Sequence, residues 1–373
     1  MEKPKFTYSR ERMFPGYDGI TCKINPAIRC DKSGLAFLTY EMLLLSGSDV
    51  FNSSYIAKST DGGINFDEPI PQNFLETRKD GIRTVYIPQL VYNKYHNKFF
   101  GIGSITCYEN DKWPIVEGEY SKQPFYYFDF NKETCKWGTP QKIDFPYDYN
   151  VAFPRPQFVE LDNGDMIIPF YCRQSENLNH RFLVVTVRYR LENGTLVAVE
   201  AGTPIEAPEQ YVRGFFEPSI TMYKGKYYLS IRSDETGLVA ESSDGLTFST
   251  PTPLVWDDGE WVGNYNTMTL WIKAKDALYL TYTRKNAHND HVFRNRAPIF
   301  MTRFDTKTLR LIRSKEVILV PELGARLGNY NITDVSENEA WLITAEWMQG
   351  PEGSEGCEKY GSNNSLWRAK VKW

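Results

Sequence analysis

Ser59-Thr60-Asp61-Gly62-Gly63-Ile64-Asn65-Phe66 is the stretch on which the fold turns. An aspartate here accepts backbone N–H bonds in a tight turn. The glycines take a backbone angle other residues avoid, and the aromatic packs beneath. The preceding Ser54-Tyr55-Ile56-Ala57-Lys58 alternates as a strand does. A shortened copy, Ser242-Ser243-Asp244-Gly245-Leu246-Thr247-Phe248, follows a second alternating run, Gly237-Leu238-Val239-Ala240-Glu241. Two such turns, each closing a strand, read as a repeated unit rather than two unrelated Asp-Gly turns.

Working outward, short alternating runs separated by Gly, Asn, Asp and Pro fill the chain, with almost no helical periodicity. The first clear run is 35–45, followed by 85–92 and 98–102. Asp162-Asn163-Gly164-Asp165 is a hairpin turn between 157–161 and 166–172. Further meanders cover 218–241, 267–304 and 331–370. The pattern gives about twenty strands and no helix able to cover a sheet. Meanders recur roughly every 50 to 65 residues, the length of a four-stranded blade with one long loop. No composition shift or linker divides residues 1–373, so the expectation is one all-β domain, a six-bladed β-propeller.

Hydrophobic residues make up 41%, charged ones 24% and aromatics 15% of the 373 residues. Such a chain buries a sizeable core, and its aromatics suit both strands and sugar-binding platforms. The net charge of −4 argues against nucleic acid as a partner. No apolar run reaches the length of a membrane span. Six widely spaced cysteines without a Cys-x-x-Cys pair point to free buried thiols and no structural zinc. The opening Met-Glu-Lys-Pro-Lys-Phe lacks the apolar core of a secretion signal. A cytoplasmic protein, and an exported one that has lost its leader, both stay open, as does oligomeric state.

The two turns resemble the Asp-box of the sialidase-like (BNR-repeat) propellers, in which the box joins a blade's third and fourth strands away from the active site. Leu44-Leu45-Ser46-Gly47-Ser48-Asp49-Val50, Phe216-Glu217-Pro218-Ser219 and Gly324-Ala325-Arg326-Leu327-Gly328-Asn329-Tyr330 are also similar to bacterial exo-sialidase-family proteins. The resemblance covers most of the chain and implies a sialidase-like propeller. It implies four devices: arginines gripping a substrate carboxylate, a tyrosine nucleophile, a glutamate polarising it and an aspartate acid/base in the first blade.

Against that pattern, Lys23 in Lys23-Ile24-Asn25-Pro26 stands where the family has its first arginine. A lysine is a point cation and cannot fork onto a carboxylate. Arg155, Arg173, Arg232, Arg284, Arg294 and Arg326 each sit at or just past a strand end, where propeller loops converge. Glu217, beside Phe215 and Phe216, is expected to have a raised pKa in an apolar mouth, which suits an acid or base. Asp49 stands for the acid/base, shifted from the family position. Tyr330, close after Arg326, stands for the nucleophile, with Tyr265 and Tyr211 competing. Asn264 precedes Tyr265 in a glycine-containing loop.

The segment 284–298, Arg-Lys-Asn-Ala-His-Asn-Asp-His-Val-Phe-Arg-Asn-Arg-Ala-Pro, adds His288, Asp290 and His291. Histidine moves protons near neutral pH. His-x-x-His without a third ligand beyond Asp290 implies no metal, and no cofactor is expected. These residues lead to an exo-acting glycoside hydrolase on a terminal acidic sugar, with a carbohydrate as the partner. The alternatives are a lyase or unusual hydrolase using His or Tyr on uronic acid-containing oligosaccharides, and a non-catalytic glycan-binding propeller.

Overall fold

A computed structural model describes residues 6–47, 49–72, 76–174 and 181–373. Strands in the described residues form six antiparallel sheets arranged as the blades of a six-bladed β-propeller. Blade 1 runs Thr21–Cys30, Ala36–Leu44, Val50–Ser59, Ile70–Pro71 from the axis outward. The inner strands of blades 2 to 6 are Ile82–Asn93, Tyr149–Pro154, Phe216–Tyr223, Leu270–Lys273 and Asn331–Ser336. The α-helix among the described residues, Gly353–Lys359, is too short to cover a sheet.

Each blade is apolar on both faces because a neighbour covers each. The core is accordingly divided among six seams. Ile28, Leu38 and Ala57 of blade 1 meet Trp341, Ile343 and Leu366 of blade 6. Phe37 and Ile56 meet Leu90, Phe99 and Phe128 on the blade 2 side. Ile167 and Val184 of blade 3 pack against Ile220 and Leu229 of blade 4. This division accounts for the high aromatic content: wedge-shaped gaps between twisted sheets need large, flat side chains.

The ring closes with a strand absent from the expected set. Thr7–Met13 pairs in antiparallel register with Leu366–Lys372, from Thr7↔Lys372 to Met13↔Leu366, and so completes blade 6. Most of its side chains are exposed, so it shows no apolar alternation. Thr21–Cys30 was also not among the expected runs, because it is buried along nearly its whole length instead of alternating.

Both Ser-x-Asp turns lie between the third and fourth strands of their blades, 1 and 4. Ser59 Oγ donates to Asp61 Oδ1 at 2.7 Å and accepts from Gly63 N at 3.0 Å. Asp61 Oδ1 accepts from Asn65 N at 3.0 Å. Each turn then offers its carbonyls to the preceding blade. Gly245 O accepts from Thr186 Oγ1 of blade 3 at 2.7 Å. Gly63 O and Ile64 O accept from Arg368 of blade 6. Gly63 has φ +80, and a Cβ there would lie 2.9 Å from the Trp341 ring.

Arg368 is 1% exposed, lies over Trp341 at 4.7 Å, and donates from Nε to Glu11 Oε1 at 2.8 Å. It therefore ties the first strand, the last strand and the blade 1 turn together. Arg368→Met leaves Glu11 and two carbonyls without this donor. The expected loss is about 2–4 kcal/mol, read as a lowered urea midpoint with an unchanged m-value.

Candidate active site

The inner strands run from one mouth of the central channel to the other. Residues of the inner strands and of the loops beside them line one hollow of about 580 Å³, within the range of small-ligand sites. At the far mouth a hollow of about 440 Å³ contains Arg29. Arg29 donates to Thr333 Oγ1 at 2.7 Å and to the Ile28 carbonyl at 2.8 Å, among other acceptors, and reads as scaffold.

Backbone bulges aim two polar side chains into the first hollow. Glu217 has φ +45, and pairing slips between Phe216↔Arg232 and Ser219↔Ser230. Asn25 has φ +50, and pairing slips between Ile24 and Ala27. Both bulged residues precede a proline, whose missing N–H removes a ladder bond at the slip. A positive φ on a non-glycine residue is strained and persists only where the surrounding structure holds it.

Glu217 Oε2 accepts from Arg232 NH1 at 2.6 Å. Burial pushes its carboxyl up, but Arg232, Arg155 and Arg296 outweigh burial and bring it down to about 2. This corrects the expected raised pKa: the sequence neighbours are aromatic, but the spatial neighbours are guanidiniums. Glu217 is an anion at neutral pH and not a resting proton donor.

Six arginines line the hollow: Arg155, Arg213, Arg232, Arg294, Arg296 and Arg326. Against them stand two lining carboxylates, Glu217 and Asp49. Glu41 lies behind the lining within the field of Arg155, and burial pushes its carboxyl well up. Arg213 grips Asp234 through Nε and NH2, both at 2.5 Å. Arg232 also donates to Asn266 Oδ1, and Arg296 donates twice to the Asn266 carbonyl. Arg326 lies over the Trp347 ring at 3.2 Å and donates to Gln349 Oε1. Burial lowers Arg326 most, Arg294 and Arg232 repel it, Asp49 opposes them, and it falls to about 9. Burial, then Arg232 and Arg326, holds Arg296 well below the usual range.

Tyr171 lies opposite Phe153 in the sheet, stacked at 5.0 Å, and lines the hollow within the electrostatic field of Glu217, Arg155 and Arg232. Burial is the main cause of its raised pKa. Trp113, 63% exposed, forms part of the rim. Its loop is braced by Ser46 Oγ donating to Asp111 O at 2.5 Å.

Of the residues expected at the site, Glu217, Asp49, Arg155, Arg232, Arg294 and Arg326 come together here. The others do not line it. Tyr330 is buried in the seam between blades 5 and 6, its hydroxyl donating to Thr281 O at 2.9 Å. His291 pairs with Glu322 at 2.9 Å and stacks on Tyr360. Lys23 Nζ donates to Asn364 O at 2.9 Å. Arg284 forks onto Glu316 at 2.8 and 2.7 Å. Arg173 faces Phe182 at 5.7 Å, and Asn264 is buried beside Gly237. His288 is exposed at φ +53, and Asp290 accepts from Asn295 Nδ2 at 3.3 Å. Tyr211 packs in the seam between blades 3 and 4, and Tyr265 donates to Asn295 Oδ1 at 3.0 Å.

Arg213, Arg296, Tyr171, Asn25 and Trp113 were not among the expected residues. The X-Pro pair at an inner strand is the signal that marks Asn25 as it marks Glu217. Nothing local distinguishes Tyr171 from the other tyrosines.

No family model and no curated protein matches the sequence. Solved structures do match in fold. A Dyadobacter fermentans protein of unknown function is 14% identical with a TM-score of 0.68, over 99% of both chains. A mutant Trypanosoma rangeli sialidase displaying trans-sialidase activity is 12% identical with a TM-score of 0.59. That match covers 98% of this chain and 58% of the sialidase. Penicillium chrysogenum α-L-arabinanase, complexed with arabinobiose, is 13% identical with a TM-score of 0.56, over 99% of both chains. The fold is therefore a sialidase-like six-bladed propeller, shared with glycoside hydrolases.

Glu217 titrates near 2 when folded and near 4.5 when its environment is lost. Its contribution to stability is complete at neutral pH, declines below about 4.5 and is gone once pH passes 2. Glu217→Gln should flatten that acid limb in unfolding free energy measured against pH. An unchanged limb would show that Arg232 does not hold the carboxylate in this way.

Proposed function

We propose that the protein is an exo-acting glycoside hydrolase on a terminal acidic sugar. The observation that carries this is one hollow in which six arginines surround an ionised Glu217 and a half-buried Tyr171. The arginines hold the sugar's carboxylate by charge-assisted, forked bonds. The Tyr171 hydroxyl attacks the anomeric carbon, and its proton passes to Glu217. The glycosidic oxygen leaves with a proton from the carboxyl of Asp49. Water then cleaves the tyrosyl–sugar bond, with Asp49 taking the water's proton and Glu217 returning one to the tyrosine oxygen. An anion beside the anomeric carbon also stabilises the oxocarbenium-like transition state.

Lyase chemistry through His291 finds no support, because that imidazole is turned to Glu322 and Tyr360 away from the hollow. A non-catalytic glycan-binding role keeps one observation in its favour: Glu217 is already paired with Arg232. Hydrolysis of a panel of sialosides and uronate-capped oligosaccharides separates these readings. Tyr171→Phe and Glu217→Gln should each lower kcat by about a hundredfold or more, while His291→Ala keeps it. Binding without turnover would favour the non-catalytic role. A product absorbing in the near ultraviolet would mark a lyase.

A further inference from the structure

We infer that the ligand of this hollow carries two negative groups: an acidic sugar with a second carboxylate, or a sulfate ester, close by. The inference rests on the acidic-sugar reading and adds the number of charges.

The ground is how the guanidiniums are committed. Arg213 is neutralised by Asp234 and Arg232 by Glu217. Arg155, Arg294, Arg296 and Arg326 remain. Even with Asp49, the acid of the proposed reaction, counted as an anion against one of them, three guanidiniums stand in excess of the carboxylates. Their contacts are to neutral groups. Arg296 holds the Asn266 carbonyl, Arg326 the Gln349 amide oxygen, and Arg155 the Met268 sulfur at 3.6 Å. Such contacts orient a guanidinium without cancelling its charge.

Arg155, Arg296 and Arg326 are 9%, 4% and 3% exposed, so water screens them poorly. The Nε atoms of Arg232 and Arg326 are buried without an acceptor. A buried donor left unpaired costs free energy and adds to the uncompensated positive character of the cluster. One carboxylate offers two oxygens and one charge, which leaves most of this excess in place. A second anionic group relieves it. Arg294 is exposed at the mouth while the other three are buried. One anionic group therefore belongs on the buried set and the second toward the rim.

The test is calorimetric titration of the intact chain with probes matched in ring number. Digalacturonic acid and disialic acid are each compared with their monomethyl esters, and glucuronic acid is compared with and without a sulfate ester. At ~20 mM salt the dianion of at least one pair should bind about tenfold tighter or more. Its affinity should also fall more steeply with salt. Arg294→Gln should narrow the gap. The pair that responds tells a carboxylate pair from a sulfate. Equal affinities and equal salt slopes within every pair, with binding retained, overturn the two-charge inference and leave the acidic-sugar reading standing. If no acidic probe binds, both fall together.

Discussion

The buried guanidinium of Arg368 sits where the circle of blades must join. It reaches Glu11 on the first strand, the Gly63 and Ile64 carbonyls of the blade 1 turn, and the face of Trp341. A propeller cannot close partway. Every blade is apolar on two faces, and an open ring would expose one face of blade 1 and one of blade 6. Exposing Ile28, Leu38, Trp341 and Ile343 is opposed at roughly 25 cal/mol per Å². The pairing of Thr7–Met13 with Leu366–Lys372 joins the chain ends, and Arg368 sets the angle of the last seam. The hollow depends on this closure. Its lining is drawn from every part of the circle, with Asn25 from blade 1, Arg155 after the inner strand of blade 3, Glu217 from blade 4 and Arg326 before blade 6.

A rigid circle is also what lets like charges stand together. Arg296 and Arg326 are depressed chiefly by burial and further by the guanidiniums around them. In a flexible loop cluster such side chains would turn to water. Here Asn266, Gln349 and Trp347 hold them by neutral contacts that fix direction and leave charge uncancelled. The chain as a whole is at −4, so the positive hollow is a local concentration against the general balance, and an anionic ligand is drawn to it.

Much of the architecture was legible because it is written in local rules. Alternation marks a strand covered on one face, and Ser59-Thr60-Asp61-Gly62 marks a turn whose Ser59 and Asp61 side chains bond within the turn itself. What escaped was set by partners distant in sequence. Thr7–Met13 is polar and exposed, and is a strand only because Leu366–Lys372 pairs with it. Arginines at strand ends all looked alike. Arg284, at the start of its loop, met Glu316 and left the site, whereas Arg296, near the end of the same loop, turned inward onto Asn266. For Glu217, adjacent phenylalanines pointed to a raised pKa, and guanidiniums from three other segments reversed the sign.

Asn25-Pro26 and Glu217-Pro218 show where the local and the distant meet. Blades 1 and 4 each carry a Ser-x-Asp turn at the outside and a bulged, positive-φ polar residue before proline at the inside. The outer turn keys its blade to the one before it, which fixes the blade's rotation about the axis. With rotation fixed, a one-residue slip in the inner strand is enough to swing a side chain from the seam into the hollow. Lys23, two residues before Asn25, stays on the seam side, bonded to Asn364. The cation expected at that strand is thus replaced by an amide. Asn25 Oδ1 accepts from Asn329 Nδ2 at 3.0 Å, so blade 1 contributes a neutral hydrogen-bonding group to the hollow. The positive charge comes instead from blades 3 to 6 and the loops beside them.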